Sequence, residues 1–266
     1  MTAPLRIAWL TTARGPGSFG AFAYTVDAIA QGLPVEVAVV FVNRERGESE
    51  ATDRFLDFAT AHGVPVETLS SVRFRKARGG QRSRPGEPLP AWRTEFDREV
   101  AARLAGYDFS LGVMFGYMLI ATEPLFSRFR FINDHPALPD GPVGTYQQVI
   151  CELIRQGASE SGCMMNLVTA DVDRGPTVSF CRFAIRDAAN AAAWDEAAPL
   201  VARGAPQDEL EATSLYADIR RRGVEREQPF LVETLRAAAE GRLSIPPAEP
   251  LDLTAEVERA ISAGAW

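Results

Sequence analysis

The N-terminal part of the chain alternates between short apolar runs and helix-forming segments, and this alternation limits the folds open to it. Leu5–Thr11 is a short apolar run and Val35–Val42 is a β-branched one, which is typical of strands buried inside a parallel sheet. A helix is predicted between them, over residues 19–29. The order strand, helix, strand, helix predicts an α/β fold with a mostly parallel, Rossmann-like sheet flanked by helices. Further strands are predicted over residues 64–69, 109–114, 129–133, 162–169 and 176–185, and further helices over 51–61, 92–104 and 146–156.

The C-terminal region departs from this alternation because it is mostly helical. Helices are predicted over residues 207–222, 227–240 and 254–263, and three prolines (Pro246, Pro247 and Pro250) predict an extended linker before the last helix. We therefore expect one domain over residues 1–245, ending in helical additions, followed by a C-terminal linker and helix over residues 246–266.

The scarcity of certain reactive residues excludes several kinds of chemistry. The 266 residues include two histidines, His62 and His135, and three cysteines, while Lys76 is the single lysine. Centres built from several histidines are thereby excluded, and no metal site is expected. His62 lies at a predicted helix end beside a glycine, which indicates a structural role. His135 remains as the candidate imidazole catalyst.

Charge and hydropathy bear on the partners of the chain. It carries 28 basic and 35 acidic side chains, a formal net charge of -7, and this balance disfavours nucleic-acid binding. No apolar run approaches the roughly 18 residues of a membrane span, and no signal peptide is evident. We expect a soluble, cytoplasmic protein with neither a membrane nor a nucleic-acid partner. One local basic run predicts either a solvated mobile loop or a cover over an anionic substrate; it comprises Arg73, Arg75, Lys76, Arg78, Arg82 and Arg84.

Three polar residues follow or connect predicted strands in a pattern suited to acyl transfer. Asn133 and His135 are two residues apart in extended chain, so their side chains share one face while Asp134 points to the other. Asp173 lies in an Asp-Arg-Gly-Pro turn between two strands, where it could orient the imidazole. An amide N–H and an imidazolium can stabilise the oxyanion formed when an amine attacks a carbonyl. The imidazole or the carboxylate could then transfer protons, through water.

These segments resemble a known family. The Asn133-Asp-His-Pro-Ala-Leu-Pro139 segment, residues 162–176 and residues 113–119 are similar to the folate-dependent formyltransferases, and most similar to the glycinamide ribonucleotide (phosphoribosylglycinamide) formyltransferases. The resemblance implies a catalytic domain that moves a formyl group from 10-formyltetrahydrofolate to an amine, with glycinamide ribonucleotide of purine biosynthesis as the best candidate acceptor. It implies catalytic roles for Asn133, His135 and Asp173. The implied folate contacts are Met118, Leu119, Ile120, Val168, Thr169, Ala170 and Asp171, and the implied substrate contacts are Gly17, Ser18 and Arg93.

Free N–H groups at the start of the first helix agree with a phosphate contact at Gly17 and Ser18, although a dinucleotide site or a simple tight turn gives a similar glycine-rich pattern. Phe19 stands where the family usually has asparagine, and Asp134 where it has an apolar residue. Residues 72–90 and 188–206 are insertions relative to the family. These departures leave other acceptors open, such as an amino sugar or a specialised-metabolite amine. Hydrolysis of formyltetrahydrofolate and folate binding without catalysis also remain open, and a homodimer is compatible with the resemblance.

Overall fold

The computed structural model describes residues 3–84 and 86–264, which form a sheet packed between two layers of helices. The strands are β1 (Leu5–Thr11), β2 (Val35–Val42), β3 (Val66–Thr68), β4 (Leu111–Met114), β5 (Phe131–His135), β6 (Glu160–Leu167), β7 (Thr177–Ala184) and β8 (Leu251–Asp252). The helices are α1 (Pro16–Ala30), α2 (Glu50–Ala61), α3 (Ser71–Ala77), α4 (Trp92–Leu104), α5 (Glu123–Phe126), α6 (Tyr146–Gln156), α7 (Ala191–Ala202), α8 (Gln207–Glu211), α9 (Ser214–Ala239) and α10 (Thr254–Ser262).

The sheet confirms the predicted fold class. Its strands follow the order β3-β2-β1-β4-β5-β6-β7-β8. Strand β6 is antiparallel to both of its neighbours, and the other pairings are parallel. The carboxyl ends of β1, β4 and β5 therefore meet at one edge, where ligands of parallel sheets bind.

The two faces of the sheet carry separate cores because strand side chains alternate in direction. On β1, Ile7 and Trp9 belong to the larger core, which also contains residues of α1, α2, α6 and α9. Ala8 and Leu10 belong to the smaller core beneath α3 and α4. The chain needs apolar residues at consecutive strand positions to fill both cores, which explains the near-continuous apolar runs of β1 and β2.

Helix α9 corrects one sequence prediction. Residues 207–222 and 227–240 were expected to form two helices, whereas Ser214–Ala239 is one continuous helix that follows the short α8. Pro229 lies inside it and is buried. Proline removes one backbone donor from a helix interior, and here its ring packs in the core instead of ending the helix.

The inserted segments also contain helices that sequence reasoning missed. Helix α3 covers the start of the basic run, so a mobile loop was the wrong prediction for residues 71–77. Helix α7 lies within the insertion over residues 188–206.

The C-terminal segment packs against the rest of the chain. Strand β8 pairs in parallel with β7, and Leu253 and Val257 are fully buried in the larger core. The division of the chain at residue 245 stays a prediction. Within residues 3–84 and 86–264, no helix has both the length and the apolar character needed to cross a membrane.

Candidate active site

The structure brings together the three residues predicted to be catalytic. Asn133 Nδ2 donates to Asp173 Oδ1 at 3.3 Å, and His135 Nδ1 lies 3.9 Å from Asp173 Oδ2. Asn133 and His135 are on one face of β5, as their spacing predicts. Strand β5 continues to His135, two residues beyond the predicted end, because β6 pairs with it there.

The hydrogen bond of His135 fixes the orientation of its ring. Nε2 lies 3.0 Å from the carbonyl oxygen of Pro142, so Nε2 carries a proton and donates it. Nδ1 then faces the Asp173 carboxylate across a gap that is too long for a direct hydrogen bond and suits a bridging water or substrate group. The His135 side chain is 3% exposed and the Asp173 side chain is 24% exposed, so solvent reaches the pair from the Asp173 side.

Asp173 reaches this position because the loop between β6 and β7 folds back over the sheet. Val168 N donates to the carbonyl oxygen of Phe131 at 2.8 Å, and Leu167 N donates to that of Pro176 at 2.9 Å. Between these two bonds, Asp173 has a φ of 55°, in the left-handed region that non-glycine residues seldom adopt. Such backbone strain is retained where the surrounding contacts over-determine it, and here it turns the carboxylate toward Asn133 and His135.

Gly175 is required by the way this loop closes. A Cβ at this position would overlap the carbonyl oxygen of Leu167, which is backbone and cannot rotate away. We expect Gly175→Ala to displace the loop that carries Asp173 and to lower kcat roughly 10- to 100-fold, since misplacing a catalytic group by about 1 Å can cost that much. Steady-state kinetics would measure the change.

The control for this substitution is Gly223→Ala. A Cβ at Gly223, inside α9, would make an ordinary 3.8 Å contact with Phe183, and alanine favours helix by about 0.5–1 kcal/mol. If Gly175→Ala folds normally and its kcat is unchanged, the loop does not need this conformation to position Asp173.

The predicted folate contacts lie on two loops that border the three polar residues. Met118 is 74% exposed and Ile120 is 43% exposed on the loop after β4, and Val172 is 46% exposed on the loop after β6. Met118 N donates to Thr12 Oγ1 at 2.9 Å, which joins its loop to the end of β1. Exposed apolar side chains on these two loops suit a flat, partly apolar ligand. The other predicted contacts are in the same two loops. Leu119, Val168 and Thr169 are partly buried, and Ala170 and Asp171 come between Thr169 and Asp173 in the chain.

Arg93, predicted as a substrate contact, is 1% exposed beneath the loop after β4. Its Nη2 donates to the carbonyl oxygen of Ile120 and lies 3.7 Å from Asp97 Oδ1. Asp97 Oδ2 in turn accepts from the N–H and the hydroxyl of Thr122, at 2.6 and 2.7 Å. Burial raises the pKa of Asp97, and the charge of Arg93 acts in the opposite direction. The contacts shown for Arg93 therefore support the loop from below, and a contact with substrate stays a prediction.

The predicted phosphate cradle is open at the start of α1. A Cβ at Gly17 would meet no atom within 4 Å, and no side chain caps this helix end. The Phe19 ring packs edge-on against Phe58, 5.1 Å between centroids, and the guanidinium carbon of Arg54 lies 4.4 Å from the centre of the Phe19 ring. The bulk of Phe19 is thus turned toward α2. The Ser18 hydroxyl lies so close to Gly116, on the loop after β4, that a Cβ at position 116 would overlap it. Gly116 also has a φ of 65°, which favours glycine.

A buried acidic group on the other face of β5 was noted in the sequence only as a departure from the family. Asp134 Oδ1 is buried and has no hydrogen-bond partner. Burial raises the pKa of Asp134 well above its usual value, and the nearby charge of Glu227 raises it further, while Arg220 opposes the shift. Arg220 Nη1 is paired with Glu227 Oε1 at 2.5 Å and stacks over the Tyr146 ring at 4.2 Å. The Arg220 guanidinium is therefore the cation that acts on both carboxyl groups, Asp134 and Glu227.

Much of the basic run is occupied by contacts within the protein. Arg73 pairs with Glu45 at 2.6 Å, and Arg78 pairs with Glu95 at 2.8 Å while its guanidinium covers the Phe74 ring at 3.5 Å. These contacts attach the segment to its neighbours, and its closure over a substrate stays a prediction.

The environment of His62 agrees with a structural role. Its Nδ1 donates to the carbonyl oxygen of Phe58 at 2.8 Å, and its ring stacks on that of Phe58 at the end of α2.

Comparisons with known proteins agree with this geometry. A family model described as formyl transferase matches residues 16–192. Glycinamide ribonucleotide transformylase 1 from Symbiobacterium toebii is 25% identical with a TM-score of 0.63, and the match covers 94% of each chain. Phosphoribosylglycinamide formyltransferase from Coxiella burnetii is 21% identical with a TM-score of 0.59, over 90% of this chain and 89% of that one. Formyltetrahydrofolate deformylase from Burkholderia mallei is 15% identical with a TM-score of 0.58, over 90% of this chain and 66% of that one. The last two likenesses show the fold alone, and no curated protein matches.

The fold and the family match define an enzyme that transfers a one-carbon group. The chain belongs to the formyl transferase family, whose model covers more than half of it. The predicted class, a folate-dependent formyltransferase, is thereby confirmed.

Proposed function

We propose that this enzyme transfers the formyl group of 10-formyltetrahydrofolate to the amino group of a small phosphorylated molecule, with glycinamide ribonucleotide as the best candidate. The observation that carries the proposal is the convergence of Asn133, His135 and Asp173 beneath two loops with exposed apolar side chains. No serine or cysteine nucleophile is needed, because the acceptor amine is itself the nucleophile.

The three polar residues would act on the carbonyl of the formyl group. When the amine attacks the formyl carbon, a new C–N bond forms and the carbonyl oxygen becomes negative. The Asn133 amide and a protonated His135 are the donors that would stabilise this oxyanion. As the bond to the folate nitrogen breaks, that nitrogen takes up a proton and the amine loses one, and Asp173 or a water it holds would relay it. The products are the formylated amine and tetrahydrofolate.

The start of α1 supports a phosphorylated acceptor. Its free N–H groups and helix dipole favour an anion, and the positions around Gly15 and Gly17 are open to one. Arg54 lies beside this helix end on the Phe19 ring, so a cation stands near the open helix start even though asparagine is absent at position 19.

Substrate turnover provides the direct test. The purified enzyme is incubated with 10-formyltetrahydrofolate and glycinamide ribonucleotide, and tetrahydrofolate formation and the formylated product are both followed. We expect both products in equal amounts, and faster transfer to glycinamide ribonucleotide than to glycinamide without its ribose phosphate. Faster transfer to an amino sugar would change the acceptor and leave the reaction class intact. Formate release at the same rate without any amine would overturn the proposal in favour of hydrolysis.

A further inference from the structure

Three exposed apolar side chains take no part in the function proposed above. Residues 3–84 and 86–264 expose six large apolar side chains, three on the loops proposed for folate and three elsewhere. The second three are between 39% and 42% exposed: Val143, Tyr146 and Val224. A single exposed apolar side chain is ordinary, but a group of them beside a site marks a surface that contacts a ligand.

The loop after β5 joins two of these side chains to the triad. The carbonyl oxygen of Pro142 accepts a hydrogen bond from His135 Nε2 at 3.0 Å, and Val143 is the next residue in the chain. Tyr146 follows as the first residue of α6. The four residues from Pro142 to Tyr146 span at most about 14 Å even when extended. A small molecule whose amine is at the triad can therefore reach Tyr146.

Helix α9 extends this surface toward the start of α1. The guanidinium carbon of Arg220 lies 4.2 Å from the centre of the Tyr146 ring. Val224 follows Arg220 by four residues, so the two side chains are neighbours on one face of α9. Four residues further on, the side-chain nitrogen of Gln228 lies 2.7 Å from the place that a Cβ on Gly20 would take. This face of α9 thus runs from Tyr146 to the helix that begins at the proposed phosphate site.

The exposed part of this surface is apolar. We call it the α9 platform, and it consists of Tyr146 and Val224 with Arg220 beside both. The charge of Arg220 is already paired, because its Nη1 is bound to Glu227 Oε1 at 2.5 Å. A ring or an alkyl group on this platform buries apolar surface on both molecules, and stacking on Tyr146 adds to the gain. Hydroxyl groups placed there lose water and gain no partner from a valine or from the face of a ring.

We propose that the α9 platform binds the part of the acceptor between its phosphate and its amino group, and that it selects acceptors in which this part is a planar ring or an alkyl group. This inference rests on the proposed function, because it names the class of acceptor for the same reaction. The amine is still placed at Asn133 and His135, and the phosphate at the start of α1. The platform is exposed, so an acceptor reaches it from solvent. The ribose of glycinamide ribonucleotide carries hydroxyl groups, so the platform favours an acceptor with a more apolar middle.

The test uses two phosphorylated primary amines that differ in the part between the phosphate and the amine. Tyramine phosphate has a benzene ring there, and glucosamine 6-phosphate has a hydroxylated sugar ring. Glycinamide ribonucleotide is the reference acceptor, and 10-formyltetrahydrofolate is saturating. Because these amines differ in basicity, the deciding quantity is the change that one substitution makes to kcat/KM for each acceptor.

Val224→Asn is the first variant to compare with the wild-type enzyme. We expect it to lower kcat/KM for tyramine phosphate about 10-fold, the usual size of a fitted apolar contact. The loss should be in KM, since the platform contacts substrate and transition state alike. The values for glucosamine 6-phosphate and glycinamide ribonucleotide should stay within about twofold. Valine and asparagine have similar helix propensities, so α9 is preserved.

Three further variants complete the test. Tyr146→Phe keeps the ring and Tyr146→Ala removes it, so we expect only the alanine variant to lower kcat/KM for tyramine phosphate, again about 10-fold. Ala102→Asn is the matched control, because Ala102 is an exposed position of α4 on the other face of the sheet. It should change no constant. Thermal unfolding of each variant shows whether it folds.

The outcomes separate this inference from the proposed function. If the wild-type enzyme formylates glycinamide ribonucleotide but not tyramine phosphate, the inference fails alone. It also fails alone if Val224→Asn and Tyr146→Ala change kcat/KM equally for all three acceptors, or for none. If the wild-type enzyme formylates no amine, the proposed function fails, before any variant is compared.

Discussion

Replacing His135 with alanine is expected to lower kcat for formyl transfer by about a thousandfold. General acid–base catalysis by a positioned side chain contributes roughly 10²- to 10⁴-fold, and an oxyanion donor roughly 10²- to 10³-fold. His135 can supply both because its ring faces Asp173 on one side and is held by the Pro142 carbonyl on the other. Single-turnover measurements with 10-formyltetrahydrofolate and the best acceptor would isolate this effect on the chemical step from product release.

Binding measurements distinguish this loss from a loss of folding. The affinity for the folate should stay within a few-fold of the wild-type value, because the loops proposed to hold it are attached by backbone bonds at Phe131 and Thr12 and not by His135. His62→Ala is the matched control, since His62 lies at the exposed end of α2. A His135→Ala enzyme with wild-type kcat would remove the imidazole from the mechanism and favour a role in binding alone.

Several elements of the fold could be predicted from sequence because local signals determine them. Leu5–Thr11 and Val35–Val42 have the predicted bounds, since each is an apolar run that ends at polar or turn-forming residues. Helix Tyr146–Gln156 also has its predicted bounds, and a Thr145–Gln148 capping box and left-handed Gly157 define its two ends.

The errors arose where distant contacts override local signals. Residues 207–222 and 227–240 were expected to form two helices, but α9 runs without a break through residues 223–226. Strand β5 was expected to end at Asn133, but pairing with Met164 and Met165 extends it to His135. No pattern within one strand can reveal a neighbour that arrives 30 residues later.

The candidate site was also only partly predictable, because one of its contacts is local in the chain and another is not. The shared face of Asn133 and His135 follows from their spacing, while the approach of Asp173 depends on a loop that folds back across the sheet. The burial of an Asp134 oxygen without a hydrogen-bond partner depends on the packing around it, and only the folded structure shows that.

Replacing Arg93 with methionine is expected to destabilise the folded protein by about 3–5 kcal/mol, the usual cost of removing one partner of a buried ion pair. Arg93 and Asp97 are both essentially inaccessible, at 1% and 0% exposure. Methionine leaves the Asp97 charge buried without compensation, and it also removes the donor to the Ile120 carbonyl. Chemical denaturation at pH 7 would measure the change in the free energy of unfolding.

The pH dependence of this loss follows from the pKa of Asp97. Burial already raises that pKa in the folded protein, and loss of Arg93 removes the largest opposing influence and raises it further. A group whose pKa is raised by folding costs no stability below its unfolded pKa of about 3.9, and the cost grows as pH rises toward the folded pKa. The difference between wild type and Arg93→Met should therefore be larger at pH 7 than at pH 5. In Arg93→Met/Asp97→Asn the buried charge is gone while an acceptor for Thr122 remains, so part of the stability should return. If Arg93 instead served only to bind substrate, the single variant would unfold like the wild type and show a raised KM alone.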